Sequence, residues 1–498
     1  MKYNIKQTVT DDSDPSIEHP DYIKLKKDWD KIRDCMQSES VIKSKREKYL
    51  PRPAGMSGEY ASAYDAYIER AHYPHICSYA LAGALGVIIT KLPEFNVPDE
   101  LSYILENATK DGATIQQLFT DIIIEILQTG KCPLVVDIIP ETNEFKFVKY
   151  PAESFINWKE ETVGAEKNLV LGVFVEAVAS SNDIFSHDSE QIYRVFLIED
   201  GKFISRAFLE SGDELVDFFT EPKYLGKSID EIPIFIAGSI NNSTEPQPIP
   251  LLSVANCSIE IYRKEADLAN SEFLSCNPTL CMVGASNEEE LPNVVGSSVM
   301  IVLPDPQARI FYTKTDTAAL SHVKEHIADL YEEAIRHGVA ILDTRKGVES
   351  AEALRIRQAT QSASIYSMYL SAINAIRDGL KLMCRWAGWN QDEVIIDAPS
   401  ALTFNVPDSN VIREIIDGFG QNVVPLSVVH RYLVGAGLID QTVSLKEYTN
   451  QLIQDNAIFT AAGLDKPKNE NDTTNASTDV EDIDDIRSEV VPDNMDVK

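Results

Sequence analysis

Two periods of apolar residues divide the chain, and the places where one gives way to the other mark its elements. Between Asp21 and about Leu50, Tyr22, Leu25, Trp29 and Ile32 recur at helical spacing inside a highly charged stretch, which predicts a helix with one buried face. "YLPRPAGMSG" interrupts it, because Pro51, Pro53, Gly55 and Gly58 do not continue a helix. Tyr60, Tyr64 and Tyr67 then line one face of the next helix, as packing residues rather than as a base-stacking platform. "HYPHICSYALAGALGVIIT", from His72 to Thr90, predicts a core helix or strand in its second half; it falls short of the roughly 20 apolar residues that a membrane span needs. From Leu101 to Gly130 the pattern is helical, and "LFTDIIIEILQTG" ends on a glycine placed to close a helix.

The period then shortens to two. "CPLVVDIIP" reads as a buried strand and "EFKFVKY" as its partner. "NLVLGVFVEAVA", "IYRVFLIED", "GKFISRAFLE" and "ELVDFFTEP" continue as a meander with "EDGK" as a turn, so residues 131–240 predict a mostly antiparallel sheet. "IPLLSVANCSIEIYRKEADLANSEFLSCNP" returns to helical spacing for about 25 residues and stops at Asn277-Pro278. A small unit with two or three short strands follows. A second helix starts near Asp316 and Thr317, with Leu320, Val323, Ile327, Leu330 and Ala334 stepping by 3, 4, 3, 4 along one seam. After "ILDTRKG" comes a helix from Ser350 to Trp386, about 55 Å long at 1.5 Å per residue. In it Tyr369, Ile373, Ile376, Leu380 and Met383 form a core stripe, preceded by the small, hydroxylic "ATQSASIYS". "DAPSALTFNVPD" reads as an edge strand, residues 408–463 as short helices, and residues 464–498 as a disordered tail, with 11 acids against 4 bases from Asp465 onward. The fold class is therefore α+β.

Charge changes the picture more than length does. Lys+Arg 45 against Asp+Glu 78 leaves −33. Tight binding of nucleic acid through the average surface is excluded, because phosphate contacts need Lys and Arg to displace counterions. A surface that lets DNA pass without sticking is compatible with it. The seven cysteines are odd in number and form no C-x-x-C pair, the usage of a reduced, intracellular assembly rather than of a disulfide framework. The first 20 residues are polar and acidic, without a signal-peptide core, and read as a disordered arm.

Enzyme signals are weak. "EPKYLGKS" ends like a phosphate-binding loop, yet Glu221 stands where the first glycine belongs and would repel phosphate. "HVKEH" fits the inverzincin zinc motif H-x-x-E-H, with His322 and His326 one helical turn apart as weak metal candidates and Glu325 as a base. Their shared face continues through Asp329 and Glu333, which describes a solvated polar face, and no third ligand is identified. "LAGALG" and "VGAGLI" are small-residue patches suited to close packing, and no G-x-S-x-G is present. No catalytic residue and no cofactor is assigned. A zinc metallopeptidase and an oligomeric scaffold without DNA passage stand as alternative functions.

The order helix, small strand unit, helix, basic loop, very long helix carries more. Together with "LKKDWDKIRDCMQ", "YDAYIERAHY", "ILQTGKCPLVVDI", "YPAESFINW", "IPLLSVANCSIEIYRKEADL" and "VESAEALRIRQATQSASIYSMYLSAINAIRDGLKLMCRWAGW", it resembles the portal (head-to-tail connector) proteins of tailed bacteriophages over about residues 20–465. The resemblance implies a non-enzymatic homo-oligomeric ring, typically a dodecamer, at one capsid vertex of the virion, assembled in the host cytoplasm. Double-stranded DNA would pass through it without sequence specificity. It also implies partners: the terminase motor, the major capsid protein and a tail adaptor, with no membrane. On this chain residues 21–250 would be the wing, 251–275 and 318–341 the stem helices, 276–317 a small α/β clip, and 342–349 the tunnel loop. Residues 350–386 would be the tunnel helix, 387–407 a return strand to the wing and 408–463 a helical crown. Thr344, Arg345 and Lys346 are the channel candidates; Ala359, Ser362, Ala363 and Tyr366 are candidates for contacts between subunits.

Overall fold

The structure, a computed structural model, describes residues 14–58, 61–163, 166–179, 185, 187–215, 220–276, 280–283, 307, 309–312, 318–338, 351–398, 409–421, 423–435, 439 and 443–461. The chain divides into two units, Met1–Thr403 and Phe404–Lys498. The mixture of helices with antiparallel sheets is α+β, as expected.

The N-terminal charged segment is two helices, not one. α1 (Pro20–Cys35) starts with Pro20 at its first position, preceded by His19, whose Nδ1 accepts from the Asp21 N–H. It ends at Met36; α2 (Glu39–Ser44) and a 3-10 turn (Arg46–Lys48) follow. Tyr22, Trp29, Ile32 and Cys35 are buried, and the Trp29 indole N–H donates to Thr129 O at 2.8 Å. Residues 14–19, read from the sequence as part of a disordered arm, run against the sheet below: the Asn157 amide donates to Ile17 O, and His19 N donates to Ile156 O, both at 2.8 Å.

α3 (Ala61–Arg70) buries Tyr64 and Tyr67, and α4 (Ile76–Ile89) buries Cys77, Ala80, Ala84, Val87 and Ile88. β1 (Glu94–Asn96) precedes α5 (Tyr103–Glu106) and α6 (Ile115–Thr129). The continuous helical pattern over 101–130 is thus broken before Ile115. A capping box marks the restart: Thr114 Oγ1 accepts from Gln117 N, and the Gln117 side chain accepts from Thr114 N. Gly130 closes α6 with φ +82°, the left-handed conformation the sequence called for.

The region 131–240 forms two principal sheets rather than one. β2 (Lys131–Ile138) lies between β3 (Phe145–Lys149) and β10 (Ile234–Gly238), all antiparallel. β4 (Phe155–Val163), β5 (Glu166–Ala179), β6 (Ser189–Glu199) and β7 (Lys202–Leu209) form the meander in that order. Its β6–β7 turn is Asp200-Gly201, both at positive φ, which is the two-residue hairpin geometry that "EDGK" predicts. A small hairpin of β8 (Lys223–Tyr224) and β9 (Lys227–Ser228) precedes β10. Glu221, Lys223 and Lys227 sit in that hairpin region, so "EPKYLGKS" has no strand–loop–helix frame around it.

α7 (Leu252–Cys276), β11 (Leu280–Val283), β12 (Arg309–Tyr312) and α8 (Ala318–Gly338) come next, followed by α9 (Ala351–Ala387) and β13 (Ile395–Asp397). β13 pairs with β1 and ends on Asp397, the first residue of "DAPSALTFNVPD"; residues 399–408, over which the sequence places an edge strand, fall outside the described ones. The second unit contains α10 (Ser409–Gly420), α11 (Leu426–Gly435) and α12 (Leu445–Ala461). Residues 462–498 lie outside the described residues.

A smaller cluster lies between α7 and α8, and one large core joins most elements of the first unit. The second half of α9 runs through it, burying Ile365, Met368, Tyr369, Ile373, Ile376, Leu380 and Met383 against α6, β2 and β10. The Phe119 and Tyr369 rings meet edge to face at 5.0 Å, and Tyr369 Oη donates to Lys91 O at 2.8 Å.

Candidate functional site

Of the element order singled out by the sequence, the two helices flanking the strand unit pack together, while the basic loop between α8 and α9 lies outside the described residues. α7 and α8 pack along a seam of Ile261 and Leu268 against Ile327 and Leu330, with Leu320, Val323 and Tyr331 at its margin. The pair is antiparallel. Lys324, early in α8, reaches Glu272, late in α7, at 2.9 Å; at the other end burial raises the Cys257 thiol pKa, with the Glu333 carboxylate adding to it. The periodic seam therefore finds its partner in the same chain.

At the open end of the pair, β11 and β12 form an antiparallel ribbon, with Leu280 opposite Tyr312 and Val283 opposite Arg309. Among the described residues several large apolar side chains here are exposed. Phe273, Leu274, Val283, Phe311 and Tyr312 are between 43% and 58% exposed. The remaining residues of the 276–317 unit, apart from Cys276 at the end of α7 and Gln307, lie outside the described ones.

What holds the pair to the body is not written in any local pattern of residues. α3 does so: Tyr67 Oη donates to Asp267 Oδ1 at 2.6 Å, and the Arg70 guanidinium lies 3.7 Å from the centre of the Phe273 ring. α1 and the 3-10 turn add Lys31 Nζ to Asn256 Oδ1 at 2.9 Å and Arg263 Nε to Tyr49 O at 2.8 Å. The hint available was the helical phase of Tyr64 and Tyr67, whose partner 200 residues away has no local signature.

α9 spans 37 residues as one helix. From Ile365 onward it is clothed by its own chain, so that half needs no neighbour to cover it. Tyr366, an expected subunit contact, is half-buried against this core with its ring 6.4 Å from that of Tyr369. Ala359, Ser362 and Ala363 fall in the stretch of α9 whose side chains lie outside the described residues, and Thr344, Arg345 and Lys346 precede α9, also outside them.

His322, Glu325 and His326 are exposed on α8, the first two with 86% and 75% of their side chains in solvent. His322 Nδ1 lies 3.7 Å from Glu325, and no group of three or more His, Cys, Asp or Glu placed to hold a metal ion occurs among the described residues. The side chains fit the polar-face account. All seven cysteines are free, and none of the described helices is long and apolar enough to cross a membrane.

Two buried polar clusters lie beside the α1 anchor. Arg33 donates to Glu125, Glu153 and Gln128; burial raises the Glu125 carboxyl pKa, and Arg33 opposes the rise. Lys131, at the start of β2, is 2% exposed, with its ammonium 4.2 Å from the Trp158 ring centre and within 6 Å of Trp29 and Phe155. Burial lowers its pKa to about 8.

Residues 250–387 match the model of a family described as "Domain of unknown function (DUF4055)", just over a quarter of the chain, running from before α7 to the end of α9. No curated protein matches. Among solved structures, the chain is similar to a chain of "Neck of native GTA particle computed with C12 symmetry", at 12% identity and TM-score 0.35, over 68% of this chain and 84% of that one. It is also similar to a chain of "Virion of native gene transfer agent (GTA) particle" at 11% identity and TM-score 0.33, over 77% and 94%. A third, from "Neck of empty GTA particle computed with C6 symmetry", has 13% identity and TM-score 0.33 over 78% and 96%. Likeness at this level carries no argument about function.

Proposed function

We propose that this chain is the subunit of a portal: a ring, of twelve copies on the resemblance, at one capsid vertex of a tailed-phage-like virion. The observation that carries the reading is the exposed apolar end of the α7–α8 pair. Leu274, Val283, Phe311 and Tyr312 are about half exposed in a chain of net charge −33. Exposed apolar side chains on both faces of the ribbon and at the end of α7 suit contact with other chains, and neighbours in a ring bury them. The antiparallel pair serves as stem, the ribbon region as clip and α9 as the helix that braces the channel.

The electrostatics agree with a conduit. α7 and α8 carry eight Asp and Glu against four Lys and Arg, a net of −4 per copy. Repeated around a ring, that charge repels phosphate and keeps a moving duplex from sticking. Thr344, Arg345 and Lys346, between α8 and α9, supply the few sequence-independent phosphate contacts. The clip meets the terminase motor and then the tail adaptor, and the wing meets the major capsid protein.

Electron microscopy of the purified protein tests the ring. Annular particles with a hole wide enough for a duplex are expected; monomers or closed particles under assembly conditions overturn the reading. The loop is tested separately by particles built with Arg345→Ala/Lys346→Ala, for which reduced DNA content or retention is expected. Wild-type packaging and retention remove the proposed role of those two residues.

A further inference from the structure

In α4 the sequence pattern and the structure part company over what is inside. Its 14 residues, "ICSYALAGALGVII", contain no Asp, Glu, Lys or Arg, in a chain that is 25% charged. Such a helix normally lies wholly within a core. Only one side of this one does. Cys77, Ala80, Ala84, Val87 and Ile88 face the protein, with Cys77 Sγ 3.6 Å from Ser258 Oγ of α7. On the other side Tyr79, Ala82, Gly86 and Ile89 are exposed at steps of 3, 4 and 3, one continuous face. Tyr79 is 76% and Ile89 50% exposed, and a Cβ built on Gly86 would meet nothing within 4 Å. The result is an uncharged saddle, low at Ala82 and Gly86 between two large ends.

We propose that this face of α4 is a contact surface for a second copy of this chain. The inference rests on the ring reading and says where copies touch outside the stem tip. The occupant follows from charge. Two chains at −33 each repel wherever carboxylates would face carboxylates, and burying an unpaired carboxylate costs several kcal/mol. An uncharged face is where copies can meet at contact distance. A basic partner would seek carboxylates, and this face has none. A lipid surface would need a helix with Lys and Arg opposite its apolar face, whereas the reverse side of α4 is packed against its own protein. The face also adjoins the proposed stem, since Ile76 at the start of α4 packs on both the main core and the α7–α8 seam.

The test uses the full chain. Wild type, Gly86→Arg, Tyr79→Glu and, as a control, Gly86→Ala are compared by sedimentation velocity over a concentration series and by electron microscopy, with thermal melts of each. Gly86→Arg places a charge in open space at an ordinary helical position, so folding is expected to survive. Expected is a shift of at least tenfold in the concentration at which half the protein assembles for both charged variants, with Gly86→Ala within twofold of wild type. Hydrogen exchange of assembled against dissociated wild type gives a reading without mutation, with protection expected over residues 79–89. Unchanged assembly of Gly86→Arg, or no added protection there, overturns the α4 assignment and leaves the ring standing. A wild type that stays monomeric overturns both. A closed two-fold dimer that Gly86→Arg dissociates keeps the α4 surface and overturns the ring.

Discussion

Gly379, in the buried half of α9, faces the ring of Phe147 in β3 so closely that a Cβ added to it would lie 2.5 Å from Phe147 Cε1 and 3.3 Å from Val136 Cγ2. Phe147 is fully buried. Two effects oppose each other in Gly379→Ala. Alanine favours the helix by roughly 0.5–1 kcal/mol, whereas overpacking a close-packed core costs about 1–3 kcal/mol. The second wins: the variant is expected to lose about 1–2 kcal/mol, read as a lower denaturation midpoint in urea. A gain in midpoint would show that β3 and α9 have slack at their crossing.

That crossing also marks the limit of what the pattern of residues made legible. The helical phase of Tyr369, Ile373, Ile376, Leu380 and Met383 announced which face of α9 is buried, and the seam from Leu320 to Ala334 announced α8's. Local geometry was legible too, at Gly130 and at Asp200-Gly201. What the stripe packs against was not. β10 pairs with β2 across nearly 100 residues, and β1 with β13 across about 300. Such pairings have no short-range signature, so one sheet was expected where two principal ones stand. The helix through 21–50 was overextended because charged residues favour a helix while Met36 and the turn at Arg46, with φ +47°, interrupt it. Of the candidate site, the stem seam was readable because it is amphipathic. The anchoring of that stem by Tyr67 and Arg70 was invisible, since a hydrogen bond between side chains 200 positions apart leaves no period.

The Tyr67–Asp267 bond is the point at which that anchoring can be weighed. Burial raises the Tyr67 phenol pKa, and the Asp267 carboxylate raises it further, so the tyrosine stays a donor across the working pH range. Tyr67→Phe removes one hydrogen bond to a charged acceptor and little volume, an expected loss of about 1.5–3 kcal/mol. The loss should be local first. Hydrogen exchange is expected to quicken in residues 262–276 of α7 while α6 keeps its protection. Equal quickening in both helices would mean that the bond supports the whole unit rather than the stem.

Arg33 holds two carboxylates, with Nε 2.7 Å from Glu153 Oε1 and Nη2 bonded to Glu125, a residue 5% exposed. Arg33→Met leaves Glu125 buried without its cation, which costs about 3–5 kcal/mol. Adding Glu125→Gln removes the stranded charge and is expected to recover half of that or more in equilibrium unfolding. The single variant should also respond to acid. With its carboxyl pKa raised by burial, the native state takes up a proton before the unfolded chain does, so the deficit shrinks as pH falls from 7 toward 5. A double variant no more stable than Arg33→Met would place the loss elsewhere, in the Glu153 contact.

Lys131 offers a titration of opposite sense. Its ammonium lies among Trp29, Phe155 and Trp158, and burial brings its pKa from 10.5 down to about 8, with Asp21 opposing. Below about pH 8 both the folded and unfolded chains carry the proton, and the cost of holding a charge in that box is fully present. Between about 8 and 10.5 the folded chain has released the proton and the unfolded chain has not, so stability rises with pH. The span corresponds to about 3 kcal/mol at 1.36 kcal/mol per unit. Lys131→Met fills the box without a charge and loses this dependence. Denaturant unfolding of both proteins at pH 6, 7, 8.5 and 10 isolates the lysine, because every other group titrates in each. The stability of wild type minus that of Lys131→Met is expected to climb from pH 8.5 to 10 and to be level below pH 7.5. A difference that stays level throughout would mean the aromatic faces hold the ammonium as well as water does, and that burial here leaves its proton affinity untouched.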